Sequence, residues 1–296
     1  MASNSQNKLL PVGALLFSST MWGVIWYPLR LLEQQGLFGL WTSLIMFLAA
    51  SIVTLPWLRF RRVDMEGQWG LLAILMLASG WANIAFILAV IDGNVVRVLL
   101  LFFLSPLWAV LLGRIVLGEK LDKMGAVTLI LALSGAGFML WRPESGLPML
   151  TSLADIYALT AGMAFALGNV LIRKAQSMPA MTKAAAVWWG VVVLALAWLV
   201  IGSEPLPQVE SSFTYLYAAL LGAVGMVFMT LAVQYGVTRM PVQRSAVILL
   251  FELIAGAVSA QLLTNEVVLM QEWLGGVLIL FAGYIAAQRE ERDLND

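Results

Sequence analysis

Apolar residues run along this chain in ten long stretches separated by short polar gaps, at roughly 9–33, 37–58, 68–91, 95–117, 123–141, 152–173, 183–202, 213–236, 241–263 and 270–288. Each stretch is close to the ~20 residues a helix needs to cross ~30 Å of hydrocarbon. Lipid offers no partners for backbone polar groups, so each stretch predicts a transmembrane helix. Basic residues mark the gaps alternately. With the N-terminus in the cytoplasm, the inside segments hold Lys8; Arg59, Arg61 and Arg62; Arg114, Lys120 and Lys123; Arg173, Lys174 and Lys183; Arg239 and Arg244; Arg289 and Arg292. Only Arg30, Arg97 and Arg142 fall outside. Short cytoplasmic loops accumulate Lys and Arg, so the bias predicts a multi-pass protein with both termini inside.

Composition agrees and narrows the function classes. The chain is 61% apolar and 11% charged, with a mean hydropathy of +0.90, whereas soluble domains carry roughly 25% charge. The longest expected loops, near 59–68, 142–152 and 203–213, hold no soluble catalytic or nucleic-acid-binding domain. With neither cysteine nor histidine, disulfides, thiolate or imidazole metal sites and histidine proton relays are excluded; no cofactor is expected. The first apolar stretch exceeds the 7–15 residues of a signal-peptide core and carries Trp22, Trp26, Tyr27 and Pro28 where a small-residue cleavage site would stand, so it reads as a retained helix.

Five spans on each side of the 142–152 loop predict a duplication, with a first repeat at 1–145, a second at 146–290 and a tail at 291–296. Arg97 and Arg244 are 147 positions apart, as are Glu119 and Glu266, and Arg142 and Arg289; Arg30 and Arg173 are 143 apart. An odd number of spans per repeat makes the two halves cross the membrane in opposite senses. Inverted repeats of this kind are typical of secondary transporters, which hold substrate near the midplane between the repeats.

Several residues are candidates for chemistry. Glu252 lies eleven residues after Pro241 and eleven before Leu263, deep in the bilayer, where an ionisable group costs at least ~2.5–3.5 kcal/mol unless it faces a cavity or partner. It reads as a counter-charge for a substrate ammonium, a proton-coupling site, or a structural hydrogen bond between helices. At ~100° per residue Ser245, Glu252 and Ser259 share a face, matched in the fourth span by Val98, Ser105 and Leu112. Arg244 and Arg97 read as topology anchors, Asp92 being within reach of Arg97. Asn83 and Asn169 are intramembrane amides that either bind substrate or join helices. Trp22, Trp81, Trp108, Trp188 and Trp189 sit deep enough to stack on a planar substrate or cover a cation, worth ~2 kcal/mol when desolvated; Trp41, Trp57, Trp69, Trp141 and Trp273 at span ends read as an interfacial belt. Pro28, Pro56 and Pro106 each deprive a carbonyl of its helical partner, and Pro28 and Pro106 are candidate hinges.

The 5+5 arrangement, the Leu104-Ser105-Pro106 sequence inside the fourth span and Leu117-Gly118-Glu119-Lys120-Leu121 leaving it resemble the drug/metabolite transporter superfamily. Within it the chain resembles the EamA-type members, and more narrowly the bacterial exporters of aromatic amino acids, over residues ~10–290. It departs from the repeat pattern where Glu252-Leu253 stands for Ser105-Pro106 and Thr264-Asn265-Glu266 for the first exit motif. The resemblance implies an all-α protein in a bacterial inner membrane that exports neutral amino acids by alternating access. It also implies a cavity lined by helices 1, 3, 4, 6, 8 and 9, with 5 and 10 peripheral. The sequence alone fits efflux of hydrophobic cations equally well. Partners are then a small solute and lipid, with no nucleic acid, and the chain is expected to act as a monomer. An intramembrane enzyme is disfavoured because Asp92 and Asp155 lie at span ends and no Ser–His or thiol pair exists. A channel would need a continuous polar pore, and an ATP-driven pump a phosphate-binding loop; neither is present.

Overall fold

The computed structural model describes residues 9–60, 68–93, 95–141, 150, 152–202, 205–264 and 268–293. Lys8, Arg61, Arg62, Arg142, Asn265 and Glu266 lie outside the described residues, as do the side chains of Trp57, Arg59, Arg289 and Arg292. Among the described residues ten helices are long and apolar enough to cross a bilayer: α1 (Leu10–Gln34), α2 (Gly39–Phe60), α3 (Trp69–Asp92), α4 (Val95–Phe102 and Ser105–Leu117), α5 (Lys123–Leu140), α6 (Leu153–Lys174), α7 (Ala180–Gly202), α8 (Ser212–Arg239), α9 (Val242–Leu249 and Phe251–Leu263) and α10 (Met270–Asp293). No strand occurs among the described residues. The hydrophobic pattern located every span to within a few residues. α10 runs on to Asp293, into the stretch expected as a tail.

Local chemistry sets the ends. Ser152 and Asp155 form a capping box at the start of α6: Asp155 N donates to Ser152 Oγ (3.2 Å), and Ser152 N donates to Asp155 Oδ2 (3.0 Å). Asp122 accepts from Gly125 N (2.9 Å) at the start of α5. Gly118 ends α4 in the left-handed region at φ 71°, which lets Glu119 N reach back to Gly113 O (3.2 Å).

Among the described residues three of the ten helices are interrupted partway along by a break in the helix. α1 breaks at Ile25, three residues before Pro28, and α4 breaks at Phe103–Leu104, just before Pro106. Both prolines remove a helical N–H, as expected. Pro56 lies within a continuous α2, whose helix runs on to the last described residue, Phe60. α9 breaks at Leu250 without a proline: Leu253 N donates to Leu250 O three residues back (3.1 Å). The breaks in α4 and α9 fall at equivalent positions of the two halves, with Ser105 and Glu252 each just past one. α8 also contains a π-helical stretch, Leu221–Met226, with no signal in the apolar pattern.

Helix pairing has the symmetry of an inverted repeat. α3 packs on α6 as α8 packs on α1, α3 on α7 as α8 on α2, and α4 on α6 as α9 on α1; α2–α7 and α5–α10 map onto themselves. Small residues allow these approaches, since helices in lipid associate by close packing. A Cβ on Gly135 would lie 2.6 Å from Gly275 O, and one on Gly275 2.4 Å from Gly135 O, at the self-mapped α5–α10 contact. Buried side chains form two main clusters. One joins α1, α5, α9 and α10, and the other gathers α2, α3 and α7 around Trp188.

Candidate functional site

A cavity of about 210 Å³ lies where the halves meet. Trp22 of α1, Phe47 of α2, Phe86 of α3, Phe102 of α4 and Phe165 of α6 supply aromatic walls, and Asn83, Asn169, Thr230 and Glu252 supply polar points among them. No residue of α5 or α10 and no Lys or Arg lines it among the described residues, while α2 and α7 contribute Phe47, Val187 and Val191 beyond the six helices that the resemblance implied.

Glu252 begins the second half of α9 and faces this cavity. Among the described residues no hydrogen bond or ion pair engages its carboxylate. Its backbone is held closely: a Cβ on Gly23 of α1 would lie 2.6 Å from Glu252 O. About two turns on, Ser259 donates to Gly23 O (3.1 Å) and accepts from Trp26 Nε1 (2.9 Å), so two hydrogen bonds tie α1 to the second half of α9. Asn83 Oδ1 is buried in the cavity wall without a partner among the described residues. Asn169 is buried on the facing wall, and Ser105 lines a small adjoining recess.

Three expected site residues lie elsewhere. Trp81 turns away, packing edge-on to Tyr157 (6.1 Å) and tilted against Trp198 (6.5 Å). Trp188 is fully buried behind the wall, where its Nε1 donates to Thr230 Oγ1 (3.0 Å) and thereby sets a hydroxyl that does line the cavity. Ser245 donates to Val242 O within its own helix (2.9 Å). Ser245 precedes the Leu250 break, whereas Glu252 and Ser259 follow it, so the helical count from the sequence does not run unbroken through all three. Arg97 pairs with Asp155 (3.0 Å) in place of Asp92. Arg244 is buried at 7% exposure, so it is no solvent-facing anchor. Phe47, Thr230 and Gln234 were not anticipated; a Thr and a Gln one turn apart in an apolar span were the available signal. The Gln234 amide, oriented so that its nitrogen donates to Ala180 O (2.8 Å) and its oxygen accepts from Ala184 N (2.9 Å), ties α8 to α7.

At the face at which α1 begins, polar contacts draw together the ends of α4, α6, α7, α8 and α9, a seal on that end of the bundle. There Arg173 of α6 approaches Glu119 of α4 (3.7 Å) and donates to Thr238 O of α8. Glu119 accepts from Val242 N of α9 (3.0 Å). Lys183 of α7, 1% exposed, donates to Thr238 Oγ1 (2.9 Å) and Ile172 O (3.3 Å). Read from sequence as a basic loop residue, Lys183 is a buried clasp: its position at the edge of a span was legible, its partners on α6 and α8 were not. Lys183→Met keeps the bulk and removes the donors. Hydrogen bonds to charged groups contribute about 1.5–3 kcal/mol, so the seal should open more often. The cysteine-free background permits a single Val233→Cys reporter on the cavity wall. Its alkylation from the sealed face should accelerate roughly ten-fold or more; an unchanged rate would show that Lys183 does not hold the seal.

The chain matches the model of the EamA-like transporter family twice, over residues 9–141 and 152–287. It is 30% identical over 139 residues, 47% of this chain, to "Uncharacterized transporter PA0485" of Pseudomonas aeruginosa, of which the aligned stretch spans 43%. A solved structure titled "Crystal structure of protein" superposes with a TM-score of 0.77 at 14% identity, covering 95% of this chain and 97% of the other. Two family matches, one per half of a ten-helix bundle, make this chain a multi-pass membrane protein that belongs to the EamA-like transporter family.

Proposed function

We propose that the protein is a secondary transporter exporting neutral amino acids, aromatic ones included, by alternating access through the central cavity. The observation that carries this reading is Glu252: a carboxylate without a partner among the described residues, facing a cavity lined in part by aromatic rings and intramembrane amides. The ammonium pairs with Glu252, the carboxylate takes the amide donors of Asn83 and Asn169, and an apolar side chain lies among Trp22, Phe86 and Phe165. Breaks beside Pro28 and Pro106 let the half-helices rock about the site. Two inverted repeats, 1–145 and 146–290, form the moving bundles, and a monomer in a bacterial inner membrane is the working unit, with no enzymatic step. A second reading is efflux of hydrophobic cations, which the absence of Lys and Arg among the described lining residues favours. Proteoliposome counterflow distinguishes them. Phenylalanine, tryptophan and methionine should exchange with and compete against one another; if lipophilic cations do so and the amino acids do not, the amino-acid reading is wrong.

The sealed face is assigned to the cytoplasm from the distribution of basic residues. A reporter fused after Asp296 should then signal from the cytoplasm, and one inserted in the 203–213 loop from outside. The reverse pair of signals would invert the protein and the direction in which the cavity is sealed.

A further inference from the structure

Between α4 and α9, whose breaks are equivalent in the two halves, lies a second, smaller cavity. It touches both breaks, at Phe103 and Ser105 of α4 and at Leu250 and Glu252 of α9, and Asn169 of α6 closes it. At about 20 Å³ it has room for one water-sized body. Ser105 is 7% exposed and Asn169 6%, and no hydrogen bond from the described residues engages either side chain or the Glu252 carboxylate. Buried polar groups are ordinarily paired, so two such groups beside the half-buried Glu252 carboxylate on one small cavity point to an occupant.

The occupant's chemistry follows from the walls. The groups available are a carboxylate, a hydroxyl and an amide oxygen, all hard donors, and no Lys or Arg lines the cavity among the described residues. A lone carboxylate balances a single positive charge. Calcium takes six to eight oxygens and magnesium keeps several waters, neither of which fits a one-water space. Discontinuous transmembrane helices are also the recurrent setting for coupling-ion sites in secondary transporters. We propose that this cavity binds one dehydrated sodium ion, held by the Glu252 carboxylate, Ser105 Oγ and the Asn169 amide oxygen. Glu252 lies on the wall shared with the large cavity. Sodium and a solute ammonium therefore compete for one carboxylate, the arrangement that exchange of one for the other requires. This competition rests on the solute reading above; sodium binding does not.

The test uses purified full-length protein in sodium-free buffer without solute. Thermal unfolding is followed while NaCl, KCl or choline chloride is added at matched ionic strength. NaCl alone should raise the midpoint saturably, as a ligand of the folded state does. Ser105→Ala should weaken the apparent sodium affinity about ten-fold, one lost ligand being comparable to a hydrogen bond to a charged group, and Glu252→Gln should remove the sodium response. Coincident NaCl and choline curves would overturn the proposal and leave the cavity to water. A KCl response equal to that of NaCl would overturn the sodium assignment, and an unchanged affinity in Ser105→Ala would place the ion elsewhere. Should a variant fail to fold, the three-salt comparison on the parent protein still decides. A positive sodium response with no amino-acid or cation flux would leave the ion site standing and refute the solute reading.

Discussion

Glu252→Gln is expected to lower solute flux by about 100-fold or more while leaving the folded protein at least as stable as its parent. The two effects share one cause. Removing one member of a desolvated charge pair costs about 3–5 kcal/mol, which converts to roughly 10²–10³ in affinity; here the other member is the bound cation. In the empty protein the carboxylate has no protein partner among the described residues. Replacing it with a neutral amide of the same shape therefore removes a burial cost and breaks no internal bond. Flux in proteoliposomes and thermal unfolding in detergent read the two halves separately. Unchanged flux would make Glu252 a structural residue, and a large loss of stability would mean that its carboxylate supports the α1–α9 contact.

Gly190→Leu is expected to prevent assembly of the bundle, and Gly190→Ala to destabilise it by about 1–3 kcal/mol, the usual cost of overpacking a close contact. A Cβ on Gly190 of α7 would lie 1.9 Å from Met76 O of α3, and one on Gly80 of α3 2.3 Å from Gly190 O. Both obstacles are backbone, so nothing nearby can rotate away. The other half repeats the contact with roles exchanged: a Cβ on Gly222 of α8 would lie 1.9 Å from Met46 O of α2. Gly137→Ala is the control. No atom lies within 4 Å of a Cβ built there, so it should be neutral or gain up to ~1 kcal/mol from helix propensity. Yield of monodisperse protein and midpoint of thermal unfolding would measure the contrast. Equal behaviour of the two alanine variants would show that α3 and α7 have room to separate.

For the candidate site, sequence and structure divide along a clear line. Glu252, Asn83 and Asn169 were legible because a polar group in the hydrocarbon layer must be buried against protein or face a cavity, whichever helix carries it. Trp81, Trp188 and Ser245 were not separable from them by composition. A tryptophan near the midplane satisfies the same depth argument whether it faces the cavity, as Trp22 does, or a neighbouring helix, as Trp81 does. Lys183 and Arg244 show the converse: both sit near span ends where basic residues ordinarily face water, yet both are buried by the meeting of several helices.

The number of spans, their limits and the arrangement in two inverted halves were all legible along the chain, because they depend on local hydrophobicity, on proline and on the spacing of charges. The proline-linked breaks at α1 and α4 were legible for the same reason. The break in α9 was not, since it has no proline and is visible only in the backbone bond from Leu253 to Leu250. Tertiary structure alone decided which face of each helix meets the cavity, that Arg97 pairs with Asp155, and that Glu119, Arg173, Lys183 and Thr238 close one end. Helices in lipid are apolar all round, so periodicity does not tell an inward face from an outward one. That distinction arises from close backbone approach at Gly80, Gly190 and Gly222, a property of helix pairs and not of any single span.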